Sequence, residues 1–311
     1  MTTPTHNGLV IVAPRAPYEI HQFPTISPVD DEIRVHVKWT ASTPLDLHQA
    51  DGGLLIETPF RTGSTSAGIV VEVGPNVKHL RVSDRVIGFA HQQPKWKSHQ
   101  EYATAPEWVF GKIPDNLSME EAVTIPENFV TAFNAISTDL GLPTPWPKPK
   151  GYIPPRADDP ILIWGAASSK GDAPAFPLIV DCIGSQDGSV GPISKIAQSG
   201  TTVAIMLPVI VKHATETDVP EYSMDASTSA QWADGVNVRG VRTFFYWRNP
   251  LFKEKLQLEI MPYMLAAGHV VPNRIRVVEG RTLLERATKA LELLRTGGVS
   301  GEKLVWRVSE E

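Results

Sequence analysis

The sequence predicts a fold of class α/β plus all-β: an all-β unit carrying an inserted α/β unit. Three observations predict it. Short strands with alternating polarity fill residues 1–110, continuous apolar runs dominate residues 161–207, and a strand-like segment returns at the C-terminus. β first, then βαβ, then a return strand describes one layered domain interrupted by another. The segment 32–39, EIRVHVKW, sets Ile33, Val35 and Val37 on one face and Arg34, His36 and Lys38 on the other, the period of a half-buried strand. LVIVA (9–13), GIVVEVG (68–74) and DRVIGF (84–89) continue the pattern, with Gly74-Pro75-Asn76 as a turn.

The character then changes. Ser118 followed by Glu121 is a capping box and starts a helix. A second helix is expected over 129–141, and the seven prolines of 143–160 make that stretch an extended linker or surface insertion. ILIWG (161–165), PLIVDCIG (177–184) and GTTVAIML (200–207) are apolar on both faces, as strands of a covered parallel sheet are. Residues 191–200 read as a short helix and VRTFFYW (241–247) as a further strand. Residues 251–268 and 282–297 read as amphipathic helices, and KLVWRV (303–308) as the last strand. The expected domains are 1–125 with 265–311, and 126–264.

Bulk properties exclude several classes. The chain has 311 residues, 42% hydrophobic, with a net charge of −5, which gives no electrostatic case for nucleic acid. No apolar run approaches the ~20 residues of a membrane span, and the N-terminus does not read as a signal peptide. The single cysteine, Cys182, rules out an intramolecular disulfide and fits a cytoplasmic setting.

Several segments, in order, resemble the medium-chain dehydrogenase/reductase superfamily. They are GSTSAGIVVEVGPNVKHLRVSDRVIGF (63–89), SHQEYATAPEWVFGKIPDNLSMEEAVTIP (98–126), ILIWGAASSKG (161–171), IVDCIGS (179–185) and RTGGVSGEKLVWRV (295–308). The last segment, WGAASS and FFYWRNP (244–250) are similar to fungal trans-acting enoyl reductases. The resemblance implies a GroES-like β domain with an inserted Rossmann-type parallel sheet. It also implies NADPH as cofactor and reduction of an activated C=C bond, of enoyl or quinone reductase type, in fungal secondary metabolism. Hydride would pass from the nicotinamide to the β-carbon, and solvent or a nearby donor would protonate the enolate. The substrate would be a small or carrier-bound enoyl compound. A polyketide synthase is the possible partner, and the chain would be a monomer or homodimer.

Zinc-dependent relatives use Cys, His and Glu donors. Here the corresponding positions read Gly63-Ser64-Thr65 and Ser42-Thr43-Pro44, so no metal site is expected. His91 and His99 are expected to be solvated loop histidines. The resemblance places Pro44, Leu45 and Asp46 near the nicotinamide, although Pro44 also reads as the first helical residue after a Thr43 cap. It makes Thr131 the catalytic candidate, against the alternative of a threonine bonding back to its own helix. Further cofactor candidates are Ser168, Ser169, Lys170 and Gly171 in the glycine-rich turn, Ile183, Gly184, Leu207 and Pro208 at strand ends, and Val299 and Ser300. Phe245, Tyr246 and Trp247 are substrate candidates, with a core role as the alternative.

The inserted domain is short. IVDCIGS matches the family's fourth strand, so two βα units of ~30 residues each are missing between Gly171 and Pro177. Pro174 and Pro177 disfavour a helix there. The ribose-reading residue normally lies ~20 positions past the glycines; its strand is missing, and Asp187, near that spacing, follows the wrong one. Weak NADPH binding is expected. The alternatives are a cofactor-free binding or scaffold relative, or a non-functional truncated product. ILIWG should be an edge strand, with one face of ILIWG and PLIVDCIG exposed, giving poor solubility or a dimer joined through that edge.

Overall fold

The computed structural model describes residues 4–165, 176–214 and 218–310. They form two compact units: residues 1–130 with 247–311, and residues 131–246. Unit 1 opens with an antiparallel pair, β1 (Thr5–Ile11) and β2 (Glu19–Pro24). The long strand β3 (Glu32–Ala41) follows. Its alternation is realised: Ile33, Val35 and Val37 are fully buried. Helix α1 (Pro44–Gly52) starts with Pro at its first turn. β4 (Phe60–Arg61) then pairs with β1, β5 (Thr65–Val73) and β7 (Tyr102–Pro106) pair with β3, β6 (Arg85–Phe89) pairs with β5, and β8 (Phe110–Lys112) pairs with β6. The Ser118–Glu121 capping box forms at the head of α2 (Met119–Ala122), with Ser118 Oγ accepting from the Glu121 amide at 3.2 Å. Helix α3 (Pro126–Asn134) follows and runs into a wide turn over Ala135–Asp139.

Unit 2 is a parallel sheet. Its strands are β9 (Ile161–Trp164), β10 (Leu178–Asp181), then, after the short helix α4 (Gly191–Ser194), β11 (Thr202–Met206). A two-stranded hairpin, β12 (Val209–Lys212) with β13 (Glu221–Ser223), precedes β14 (Asn237–Val241). The order is β14-β11-β10-β9, with every pair parallel. β9 is therefore the edge, as the sequence implies. The exposure expected of both strands is confined to β9, where Ile161 and Ile163 are 41% and 50% exposed. All four residues of β10 are buried, because Ala135, Leu140 and Leu142 cover Leu178 and Val180, while Ile193 and Val203 pack against Ile179 on the other face. The expected strand over 241–247 forms earlier, at β14, and Thr243–Arg248 is a 3₁₀ turn. Gly240 lies under Leu207: a Cβ there would meet Leu207 Cδ1 at 2.6 Å, so the leucine side chain would have to shift.

The chain returns to unit 1 at Trp247 rather than at 265. A helical stretch with wide turns, Phe252–Ile260, leads into α5 (Met261–Ala266). Gln257, fully buried, ties this stretch to the β unit: its Oε1 accepts from Phe89 N at 2.7 Å and its Nε2 donates to Phe89 O at 3.1 Å. A polar residue in an amphipathic pattern does not announce such a pairing. Strand β15 (Ile275–Val277), helix α6 (Leu283–Arg295) and strand β16 (Lys303–Arg307) complete the unit. Its main sheet runs β15-β16-β3-β5-β6-β8, with β7 also paired to β3.

Candidate functional site

Within unit 1, α1 presents Asp46 to the interior. Asp46 is 7% exposed, and its carboxylate accepts from the Thr43 amide at 2.8 Å. Burial pushes its pKa up to about 7, with the neighbouring Glu127 adding to the rise, while the Thr43 bond, Lys303 and Lys97 oppose it. Glu127, from α3, is also raised by burial; Lys303, Lys97 and hydrogen bonds from Thr65 and Ser64 oppose that. Lys97 completes the cluster. Burial lowers its pKa to about 8 against the pull of Asp46 and Glu127. Asp46 and Lys97, shifted toward each other by burial, can exchange protons near neutral pH, and the Glu127 carboxyl beside them is held toward its protonated form.

His99 corrects the expectation of a solvated histidine. It is 2% exposed, its Nδ1 pairs with the Thr62 hydroxyl at 2.8 Å, and its ring lies 4.6 Å from that of Trp306. Burial, then Lys97, drives its pKa to about 3, so the imidazole is neutral. Gly63 explains the glycine of Gly63-Ser64-Thr65: at φ +87°, a Cβ would meet His99 Cδ2 at 2.4 Å. His91 is likewise not a bare loop residue, its ring stacking on Phe89 at 4.7 Å. Among the described residues no group of three or more His, Cys, Asp or Glu side chains could hold a metal ion.

Pro44 and Leu45 sit in the first turn of α1 as both readings of the sequence allow. Val299 packs on the same unit 1 cluster as Leu47, and Ser300 beside it is exposed. Trp247 is part of unit 1, half-buried, beside the Arg248 guanidinium. In unit 2, the Thr131 hydroxyl accepts from the Thr243 hydroxyl at 3.0 Å, a partner outside its own helix. Phe245 is half-buried. Tyr246 is 1% exposed and belongs to the core, because the 3₁₀ turn directs it inward, which leaves it no open face for a substrate.

The C-terminal edge of the parallel sheet brings together Ile183, Gly184, Leu207 and Pro208. Asp181, fully buried, shapes the loop: Oδ1 accepts from Ile183 N at 2.9 Å and Gly184 N at 3.2 Å, and Oδ2 accepts from Ser189 Oγ at 2.7 Å. Gly184, at φ +65°, must be glycine, since a Cβ would meet the Met206 carbonyl at 2.5 Å. Gly165, at φ +95°, would drive a Cβ to 2.9 Å from Ile183. Close backbone approach of this kind is what a dinucleotide needs at strand ends. The fit is one-sided: β9 is the sheet edge, so among the described residues no further strand of this sheet offers a ribose-reading side chain. Ser168, Ser169, Lys170 and Gly171 lie outside the described residues.

The sequence reading missed Lys97, Ser64, Glu127 and the burial of His99. The signal available was the WKSH run, in which Lys97 follows Trp96 and stands two residues before His99.

Residues 29–135 match the model of the alcohol dehydrogenase GroES-like domain. A trans-enoyl reductase of Aspergillus flavipes is 31% identical over 174 residues, 53% of this chain and 49% of that protein. One from Aspergillus terreus is 31% identical over 179 residues, 54% and 57%. The chain thus spans about half the length of these curated relatives. The enoyl reductase component of the lovastatin nonaketide synthase of Aspergillus terreus is 25% identical over 342 residues, 89% of each chain. Among solved structures, the CurK enoyl reductase superposes with a TM-score of 0.69 at 13% identity, covering 97% of this chain and 99% of that one. A quinone oxidoreductase from Coxiella burnetii gives 0.68 at 15% identity, covering 98% and 100%. These two likenesses show the fold alone.

Proposed function

We propose that this chain, a member of the medium-chain dehydrogenase/reductase superfamily of the enoyl-reductase-like kind, reduces an activated C=C bond with NADPH. The observation that carries the reading is the Asp46–Lys97–Glu127 cluster. Asp46, raised to about 7, and Lys97, lowered to about 8, can supply protons near neutral pH without a metal. NADPH, when bound, supplies the hydride. The chain's own residues would do the rest. Ile183, Gly184, Leu207 and Pro208 would take the cofactor's nicotinamide side, with Pro44, Leu45, Val299, Ser300, Ser168, Ser169, Lys170 and Gly171 contributing. The Thr131 hydroxyl would orient the nicotinamide. Phe245 and Trp247 would border the substrate, and the cluster would replace the proton that the enolate consumes.

The similarity to trans-enoyl reductases, and to a component of a polyketide synthase, supports a carrier-bound enoyl substrate and a synthase partner. A cytoplasmic monomer or homodimer fits; among the described residues no helix is long and apolar enough to cross a membrane. The test is NADPH titration by calorimetry, followed by NADPH oxidation with a short enoyl thioester. Binding weaker than micromolar and slow turnover are expected. No oxidation above background at saturating NADPH overturns the reading. A second reading, a relative that binds without converting, is favoured by β9 standing at the sheet edge; it requires no NADPH binding at all.

A further inference from the structure

Lys97 is the one lysine among the described residues that is almost wholly buried, at 7% exposure. Its backbone is pinned. Trp96 beside it is 4% exposed, and the Gln100 amide donates to the carbonyls of Lys97 at 2.8 Å and Pro94 at 3.1 Å. The side chain ends with its ammonium over the face of Phe60, 4.7 Å from the ring centre. An aromatic face replaces only part of the hydration that a buried ammonium gives up.

That side chain forms part of the wall of a cavity of about 740 Å³ within unit 1, shared with Phe23, Leu55, Phe60, Arg61 and His91. The volume falls in the ~300–1,000 Å³ range of small-molecule sites, and the lining pairs apolar side chains with polar and charged ones, His21, Glu57, Gln92 and Lys97 among them. Glu57 is the one carboxylate on the lining. Arg61 is already engaged: its guanidinium lies 3.4 Å from the centre of the Phe23 ring and donates to Gln100 Oε1 at 3.2 Å. Asp46 and Glu127 favour the charged form of Lys97, yet burial outweighs them, so its charge is under-compensated. An oxygen anion or a polarised carbonyl arriving from the cavity would supply what is missing.

We propose that this cavity binds an acyl chain headed by a carboxylate or carbonyl oxygen, with the Lys97 ammonium meeting that oxygen and the Phe23, Leu55 and Phe60 side chains taking the chain. The proposal deepens the reductase reading by naming how an acyl substrate is held. Its test needs neither NADPH nor turnover, so the two fail separately. The probes are trans-2-octenoate and 1-octanol, titrated by calorimetry at pH 7 into the whole chain. The wild type should bind octenoate at least tenfold more tightly than octanol. Lys97→Met, which fills the same space without charge, should bind the two alike; Lys97→Arg should keep part of the preference; Phe60→Ala should weaken both. Thermal unfolding checks that each variant folds, and should Lys97→Met not fold, the wild type and Lys97→Arg decide. A wild type without the preference, or Lys97→Met binding octenoate as tightly as the wild type, overturns the proposal. So does a preference lost in Arg61→Met and kept in Lys97→Met. Octenoate discrimination without NADPH oxidation would sink the reductase reading and leave this one standing.

Discussion

Replacing Asp181 tests whether the loop after β10 is held by acceptor geometry. Three donors converge on this fully buried carboxylate: the amides of Ile183 and Gly184 and the hydroxyl of Ser189. Asp181→Ala strands all three. Ser189 has a fallback, because its hydroxyl also reaches the Ser185 carbonyl at 3.1 Å. The two amides have none in the loop. At roughly 1–3 kcal/mol for each buried donor left without a partner, and with some relief from water entering the space, the cost is about 3 kcal/mol. Asp181→Asn keeps one carbonyl oxygen for the amides and turns an NH₂ toward the Ser189 oxygen, so it should cost about 1 kcal/mol. Urea unfolding followed by circular dichroism measures both, with an unchanged slope marking a true stability change. Asp181→Ala within about 0.5 kcal/mol of wild type would refute the reasoning, since orphaned buried donors cannot be that cheap. Equal losses in the two variants would show that charge, not acceptor geometry, holds the loop.

Other outcomes follow from single contacts. Arg295 grips Asp51 through two bonds, at 2.9 and 2.7 Å, and the Asp51 side chain is only 5% exposed. Arg295→Met should cost about 3 kcal/mol in urea unfolding by leaving a buried charge, and adding Asp51→Asn should recover most of it. Asp46 has a folded pKa of about 7, raised from the ordinary 3.8, so the stability of its protonated form is full below pH 4 and is lost as pH rises through 7. Unfolding at a series of pH values should therefore show Asp46→Asn gaining about 2 kcal/mol or more on the wild type between pH 4 and pH 8; a pH-independent difference would refute this. Ile163→Lys on the exposed face of β9 should reduce self-association in light scattering without lowering the melting temperature, and a wild type that is already monodisperse and monomeric removes its basis.

Regular periodicity made much of the fold legible. The alternation in β3, the Ser118–Glu121 cap and the amphipathic run of α6 each depend on neighbours a few residues away, and each appears as read. The edge position of β9 was also legible, because strand order follows from which strands match and which are missing. The charge cluster was not. Lys97 and His99 lie in an aperiodic loop, and the groups that bury them, Phe60 and Trp306, are distant in sequence. Past Trp247 the chain rejoins the first unit, where Gln257 meets Phe89, a pairing that no local pattern encodes. Of the residues singled out, Ile183, Gly184, Leu207 and Pro208 lie at strand ends, while Tyr246 is claimed by the core.

The second unit leaves the first after Val130 and rejoins it at Trp247. In polymer terms it is a loop that the β unit closes. Closure entropy grows with the logarithm of loop length, by only ~0.6 kcal/mol for each doubling. Whether that loop holds the four parallel strands seen here or two more therefore alters the β unit's folding by less than about 1 kcal/mol. Gains and losses of whole βα modules are nearly neutral for the frame that carries them, and their penalty falls on the inserted sheet's own margin. For the stability of the frame alone, the loss of Arg295 from Asp51 costs more than a change of dozens of residues in the length of the insert.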